Sequence, residues 1–256
     1  MKKYAVIWCA DAPGDEEWQG KIISTFGRKD EQWDVLHPAR DNFLEQAAGY
    51  AGYVISGSPQ SVVDDAQTPL VRNLIAFLQA QAQRGDAPVV GLCFGSQAIA
   101  AALGGQVGKN PSGRFKLGVD QLQWGAQAQA LIGAQGGGGP TSLVQSHGEC
   151  VTRLPSEAVA LASSATIAHE VFLVDGRFLG IQGHPEVDRR FLQEKFMAYH
   201  RALFDDEQWV CVQEESRQPL DADRVIALGR RLLDAGRLPT AATALDARPS
   251  TQGIAP

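Results

Sequence analysis

The chain has 256 residues, of which 44% are hydrophobic, and a formal net charge of −6. This length and composition are typical of a globular protein that folds on its own core, and they exclude wholesale disorder. A mildly acidic chain without a basic run also argues against binding to nucleic acid or to an anionic membrane. The four cysteines are widely spaced and form no C-x-x-C pair, which favours a reducing cytoplasm over a disulfide scaffold or a zinc site.

Neither of two apolar runs predicts export or a membrane span. The run from Tyr4 to Ala10 is cut by Asp11 and is too short for the core of a signal peptide. The charge-free stretch from Ala87 to Gly108 is long enough to span a membrane, but glycines divide it. We therefore expect a buried strand, a turn and a helix there.

The first hundred residues alternate between strand and helix patterns. Trp18, Ile22 and Phe26 recur every four residues, which gives the first helix one apolar face. Strands that alternate with helices predict a mostly parallel sheet covered on both faces. In chain order we predict strand 4–9, helix 16–26, strands 32–36 and 53–55, helix 69–83, strand 87–92 and helix 96–103.

After residue 115 short strands predominate. Asp175-Gly176 predicts a hairpin turn between two of them. Gly236 occupies the C-terminal cap position of the last helix. We predict strands 117–122, 142–146, 158–162, 170–174 and 177–182, followed by helices 188–204 and 221–235.

Two segments have the composition of flexible chain. Residues 125–140 contain a run of glycines and predict a flexible surface loop. Residues 240–256 are small and polar and predict a tail. We therefore expect one domain over residues 1–239.

Gly91-Leu92-Cys93-Phe94-Gly95 lies between a predicted buried strand and a predicted helix. This is the cysteine form of a nucleophile elbow, a tight turn in which the residues two before and two after the nucleophile must be small. The helix N-terminus favours a thiolate, and the N–H of Phe94 would face an oxyanion. The pattern predicts that Cys93 is a nucleophile.

His184-Pro185-Glu186 follows the last predicted strand. Pro185 keeps His184 extended, so the side chains of His184 and Glu186 share one side of the chain. A carboxylate beside an imidazole orients the ring and stabilises its charged form. With Cys93, these residues provide nucleophile, base and orienting group. His147 with Glu149 is a second candidate base, although no proline fixes that pair as extended.

Polar residues at other predicted strand and helix ends are candidates for the same pocket. Gly57 lies in a Ser-Gly-Ser-Pro turn at the rim of the sheet, where its N–H could complete an oxyanion hole or simply form a turn. Gln97 shares a helix face with Cys93 and could hold the polar end of a substrate or pack. The candidate substrate-binding residues are Gln97, Ser58, Gln145, Ser146, His147 and Gly148.

These motifs resemble the class I glutamine amidotransferase superfamily, and within it the stand-alone γ-glutamyl peptidases. The Gly57 loop, the elbow, Gln97 and His184-Pro185-Glu186 occur in the family's order. The resemblance covers nearly the whole chain. It implies a single-domain, flavodoxin-like α/β fold with a mostly parallel central sheet, flanking helices and a small antiparallel sheet.

The resemblance also implies roles for residues. Cys93 would be the nucleophile, His184 the general base and acid, and Glu186 its orienter, with oxyanion donors at Gly57 and Phe94. Two departures bear on the leaving group. Ser96 stands where the family commonly has histidine, and Arg114 where it commonly has an acidic residue.

The implied activity is hydrolysis of a small-molecule γ-glutamyl amide through a thioester on Cys93, without a metal or organic cofactor. The substrate would be a γ-glutamyl peptide, a glutathione conjugate or the γ-glutamyl amide of an amine. One alternative is a glutaminase subunit that delivers ammonia to a separate synthetase. Another is a binding or regulatory protein that kept the fold.

Overall fold

The computed structural model describes residues 1–10, 15–85, 87–132 and 140–239. Its centre is a nine-stranded sheet. The strand order is β2-β1-β3-β4-β11-β10-β9-β6-β7, and β5 pairs with β8 in a separate antiparallel sheet. The strands are β1 (Lys3–Ile7), β2 (Gln32–Leu36), β3 (Tyr53–Ile55), β4 (Val89–Leu92), β5 (Gln106–Lys109), β6 (Lys116–Trp124), β7 (Thr141–His147), β8 (Glu149–Arg153), β9 (Ala158–Ser163), β10 (Val171–Val174) and β11 (Phe178–Ile181).

The sheet has a parallel half and an antiparallel half. Strands β2, β1, β3, β4 and β11 are parallel, whereas β10, β9, β6 and β7 continue the sheet in antiparallel pairs. The sheet curls, so that Val144 of β7 accepts a 2.8 Å hydrogen bond from the N–H of His184, just beyond β11. The predicted α/β architecture is thus confirmed.

Helices flank the sheet, and two of them carry clear end signals. Thr68 accepts a hydrogen bond from the N–H of Val71 and caps the helix that begins at Pro69. Asp205 and Gln208 form a capping box. The helices are α1 (Glu16–Phe26), α2 (Phe43–Gln46), α3 (Pro69–Arg84), α4 (Phe94–Ala102), α5 (Ala126–Ile132), α6 (Arg189–Phe191), α7 (Ala198–His200), α8 (Asp206–Glu215) and α9 (Asp223–Ala235).

Both faces of the sheet are buried, as alternate residues of β1 demonstrate. Val6 packs in an apolar cluster with Phe26 of α1 and Leu228 of α9. Its neighbour Ile7 packs on the opposite face in a cluster that includes Phe77 of α3. Because successive side chains of a strand point to opposite faces, this is the pattern of a sheet covered on both sides.

The predicted helix over 188–204 is confirmed as a helical segment, but it is not a regular α-helix throughout. The segment is α6, a π-helical turn at Leu192–Met197, α7 and a 3-10 turn at Arg201–Leu203; we call residues 189–203 the composite helix. The π turn shifts the apolar spacing by one residue and packs Phe196 and Met197 into a third apolar cluster with Leu117.

Other sequence-based expectations need correction in the antiparallel half. Part of the predicted loop is helix α5, because the alanine- and glutamine-rich run at Ala126–Ile132 has high helix propensity. Helix α2, helix α8 and the β5–β8 pair were not predicted. Residues 133–139 and the expected tail 240–256 lie outside the described residues. None of the helices in the described ranges is long and apolar enough to cross a membrane.

Candidate active site

Cys93 occupies a strained turn between β4 and α4. Its φ of 48° and ψ of −105° are rarely adopted by a residue with a side chain. A Cβ on Gly91 would lie 2.5 Å from the carbonyl of Gly95, and one on Gly95 would lie 2.7 Å from the oxygen of Ile55. The turn therefore requires both glycines. The N–H of Cys93 donates to Ile181 at 2.8 Å, which joins the turn to β11.

His184 lies three residues after β11, buried beside Cys93. Its Nδ1 is 2.9 Å from Oε1 of Glu186, and its ring also forms a side-chain hydrogen bond with Cys93. Burial disfavours the charged ring, but the Glu186 carboxylate and the Cys93 sulfur raise the pKa of His184 to about 10. The ring is therefore an imidazolium at neutral pH, ready to donate a proton.

Glu186 has a second donor that the sequence analysis missed. Oε1 of Glu186 accepts a 2.9 Å hydrogen bond from the indole N–H of Trp18 in α1. The Trp18 ring also lies against His184, with 5.8 Å between ring centroids. The sequence pattern assigned Trp18 only to the apolar face of α1, although its indole N–H needs a partner when buried.

Two backbone N–H groups are free to bind an oxyanion. Phe94 is the first residue of α4, so its N–H has no acceptor within the helix. Gly57 follows β3, and no acceptor for its N–H occurs among the described residues. A Cβ on Gly57 would lie 3.0 Å from Cε1 of His184, so this backbone runs directly beside the imidazole.

A cavity of about 690 Å³ opens over Cys93 and His184. Gln145 is the one substrate-binding candidate that does not line it. Its amide lies behind the wall, between Glu170 at 3.0 Å and His147 at 3.1 Å. The candidates that line the cavity are Ser58, Phe94, Gln97, Ser146, His147 and Gly148.

Residues 146–149, which form one wall of the cavity, are tied to the elbow by two contacts. Gln97 Nε2 donates to the carbonyl of Glu149 at 2.8 Å, and the Cys93 thiol lies 3.8 Å from the carbonyl of Ser146. Backbone carbonyls of this wall therefore lie within reach of the nucleophile. They are suited to accept hydrogen bonds from an ammonium group.

His147 does not form the second candidate base pair. Its ring nitrogens contact Asn110 and Gln145, whereas the carboxylate of Glu149 accepts from Ser61. Burial, together with the nearby positive charge of His184, lowers the pKa of His147 to about 3. His147 is thus a neutral wall residue at neutral pH.

Carboxylates, imidazoles and thiols in the described part of the chain do not converge in groups of three that could hold a metal ion. The chemistry that these side chains can perform is covalent. A thiol at a helix N-terminus, a buried imidazolium and two free N–H groups suit attack on a carbonyl carbon.

Comparison with known proteins agrees with this geometry. The model of the class-I glutamine amidotransferase family matches residues 22–199. γ-Glutamyl peptidase 3 of Arabidopsis thaliana is 34% identical over 181 residues, which cover 68% of this chain and 70% of that protein. A glutamine-hydrolysing GMP synthase of Leifsonia xyli subsp. xyli is 33% identical over 138 residues, which cover 54% of this chain and 26% of the synthase. The crystal structure of a glutamine amidotransferase from Thermotoga maritima has the same fold, with a TM-score of 0.66, 18% identity, and coverage of 91% of this chain and 97% of that one.

Proposed function

Because the chain belongs to the class I glutamine amidotransferase family, we propose that it is a cysteine-dependent hydrolase of γ-glutamyl amides. The observation that carries the proposal is the pair Cys93 and His184 at one cavity, with Glu186 hydrogen-bonded to the imidazole and the N–H groups of Gly57 and Phe94 close by. The similarity of the chain to a γ-glutamyl peptidase supports a small-molecule substrate.

In the first half-reaction the Cys93 thiolate attacks the γ-carbonyl carbon. The N–H groups of Gly57 and Phe94 hold the resulting oxyanion. As the C–N bond breaks, the His184 imidazolium gives its proton to the departing amine. The γ-glutamyl group remains on Cys93 as a thioester, and His184 is left neutral.

In the second half-reaction neutral His184 takes a proton from water, and the hydroxide attacks the thioester. The C–S bond breaks, glutamate leaves, and the thiolate–imidazolium pair is restored. Glu186 accepts the Nδ1 proton in a hydrogen bond throughout and holds the ring in orientation. These steps need no metal or organic cofactor.

Substrate recognition divides between side chain and backbone. Gln97 and the 145–149 loop would hold the α-amino and α-carboxylate groups of the γ-glutamyl unit. Ser58 lines the same cavity. All four cysteines are free thiols, which is consistent with a cytoplasmic protein.

Glutamate release from γ-glutamyl compounds tests the proposal. The panel comprises glutamine, γ-glutamyl dipeptides, glutathione, a glutathione S-conjugate and γ-glutamyl amides of simple amines. Wild type should release glutamate and Cys93→Ala should not. Cys211→Ser, which removes an exposed thiol in α8, should retain activity. Equal turnover by Cys93→Ala would overturn the proposal.

The alternative is a glutaminase subunit that supplies ammonia to a separate synthetase. The similarity to part of a glutamine-hydrolysing GMP synthase favours it. It predicts that glutamine is cleaved faster than every other member of the panel. It also predicts that a partner captured from cell extract stimulates ammonia release.

A further inference from the structure

The cavity over Cys93 has two chemically different sides. One side consists of polar groups from the loop after β3, from α4 and from the end of β7, including Ser58, Gln97 and Ser146. The other consists of rings from α1, the composite helix and Phe115. We call this second side the aromatic wall: Trp18, Phe115, Phe191, Phe196, Tyr199 and His200.

The two reacting side chains lie where these sides meet. The Cys93 thiol contacts the polar side, 3.8 Å from the carbonyl of Ser146. The His184 ring contacts the aromatic wall, with its centroid 5.0 Å from that of Phe196 and 5.8 Å from that of Trp18. The aromatic wall is therefore in direct contact with the imidazole.

The aromatic wall consists of two groups of rings in contact and is uncharged at neutral pH. Phe196 packs against Phe191, and the ring of His200 lies 4.3 Å from Phe115 and 4.8 Å from Tyr199. Burial, with the nearby positive charge of His184, lowers the pKa of His200 to about 4. Tyr199 is 74% exposed although it lines the cavity, so much of its ring is open to a ligand.

Of the charged residues that line the cavity near this wall, Glu17, Glu194 and Lys195 form ion pairs. Lys195 lies 3.9 Å from Glu17, and Glu194 bonds Arg190 at 3.0 Å. These pairs are exposed at the rim and compensate one another. A ligand on this side therefore meets mainly apolar ring surface.

The inference rests on the proposed function, in which His184 gives its proton to the departing amine. The leaving group must then lie on the side of His184, against the aromatic wall, while the γ-glutamyl unit lies on the polar side. We infer that the leaving amine carries an aromatic ring within a few bonds of its nitrogen, which packs on Phe196 and Tyr199. Ring–ring contacts are more favourable than the burial of their area alone, so the site would prefer an aromatic ring to an alkyl group of the same size.

A matched series of γ-glutamyl amides tests the inference: ethylamide, 2-cyclohexylethylamide and 2-phenylethylamide. We expect wild type to cleave the phenylethylamide with a kcat/KM about tenfold or more above that of the ethylamide, with the cyclohexyl compound between them. γ-Glutamylphenylalanine, assayed beside the phenylethylamide, distinguishes an amino acid from a simple amine as the source of the ring. Equal kcat/KM values for the three amides would overturn the inference and leave the proposed function intact.

Two variants of the composite helix sharpen the test. Tyr199→Ala removes an exposed ring of the wall and should reduce the phenylethyl-to-ethyl ratio at least about threefold. Leu203→Ala truncates an exposed side chain of the same helix that does not line the cavity, and should keep the ratio. An unchanged ratio in Tyr199→Ala would contradict the role of that ring.

Binding to Cys93→Ala separates this inference from the hydrolase proposal. Calorimetry should give a lower Kd for the phenylethylamide than for the ethylamide. Such a preference without turnover by wild type would overturn the hydrolase and support the aromatic subsite. Equal Kd values would count against the subsite.

Discussion

The indole N–H of Trp18 and the imidazole of His184 donate to the same oxygen of Glu186, each at 2.9 Å. Trp18 lies on the first helix, 168 residues before Glu186 in the chain. The carboxylate is therefore held by two donors that lie far apart in the sequence. We regard Trp18 as a positioning residue that acts on the imidazole through Glu186.

Trp18→Phe keeps an aromatic ring but removes the indole N–H along with part of the ring system. We expect kcat/KM to fall about tenfold, because a hydrogen bond to a charged group contributes about 1.5–3 kcal/mol and about 1.4 kcal/mol corresponds to a factor of ten in rate. Trp33→Phe is the matched control, since its indole N–H donates to Glu31 away from the cavity. Equal loss of activity in both variants would argue against a positioning role.

Gly57→Ala would test the backbone beside the imidazole. The new Cβ would lie 3.0 Å from Cε1 of His184 and 3.4 Å from Trp18, so the loop or the ring must move. If Gly57 holds the oxyanion, turnover should fall at least about 100-fold, the effect of losing one such donor. Gly20→Ala, at an exposed helix position with no atom near its Cβ, should instead raise stability by about 0.5–1 kcal/mol. Steady-state kinetics and thermal unfolding of both variants are the measurements.

Glu186→Gln should alter how stability depends on pH. The pKa of His184 is raised from 6.5 to about 10. The stability that its positive charge contributes is therefore fully present below about pH 6.5 and is lost as the pH rises towards 10. The glutamine removes the negative charge but keeps an acceptor oxygen. We expect its deficit in unfolding free energy to be largest at the acidic end of this window and to shrink towards the basic end. Urea unfolding measures it, and a pH-independent deficit would contradict the assignment.

The buried carboxyl group of Glu170 should also make stability depend on pH. Burial raises its pKa from 4.5 to about 7, against the lowering effect of hydrogen bonds that include one from Gln145. Between these values the unfolded chain releases a proton that the folded chain keeps, so stability falls as the pH rises through the window. In Glu170→Gln the free energy of unfolding should no longer decrease across this pH window. In Glu157→Gln, at an exposed site, the decrease should remain. Urea unfolding across the window distinguishes the two.

The parallel half of the sheet could be predicted because its signals are local. Strands 32–36 and 53–55 have the predicted bounds, and Asp175 and Gly176 both adopt the positive φ that the hairpin turn requires. The elbow could be predicted for the same reason, because its glycine spacing follows from close contacts within a few residues. His184 and Cys93 meet because β4 and β11 are neighbours, a placement that the resemblance implied.

The missed features depend on contacts that are distant along the chain. The π turn of the composite helix is stabilised by packing against β6 and β7, and local periodicity carries no sign of it. Likewise, Gln145 donates a hydrogen bond to Glu170, 25 residues further along the chain, which the sequence pattern did not connect with the site. The hydrogen bond from Trp18 requires α1 to dock beside the end of β11.

The pairing of β4 with β11 makes the site inseparable from the centre of the sheet. Leu92 lies opposite Ile181, and the next residue, Cys93, donates its N–H to Ile181. Nucleophile and base are thus held by backbone hydrogen bonds among the most buried strands, where local opening costs nearly the whole free energy of unfolding. Heat inactivation of this protein should therefore coincide with its global melting, and residual activity would serve as a direct gauge of the folded fraction.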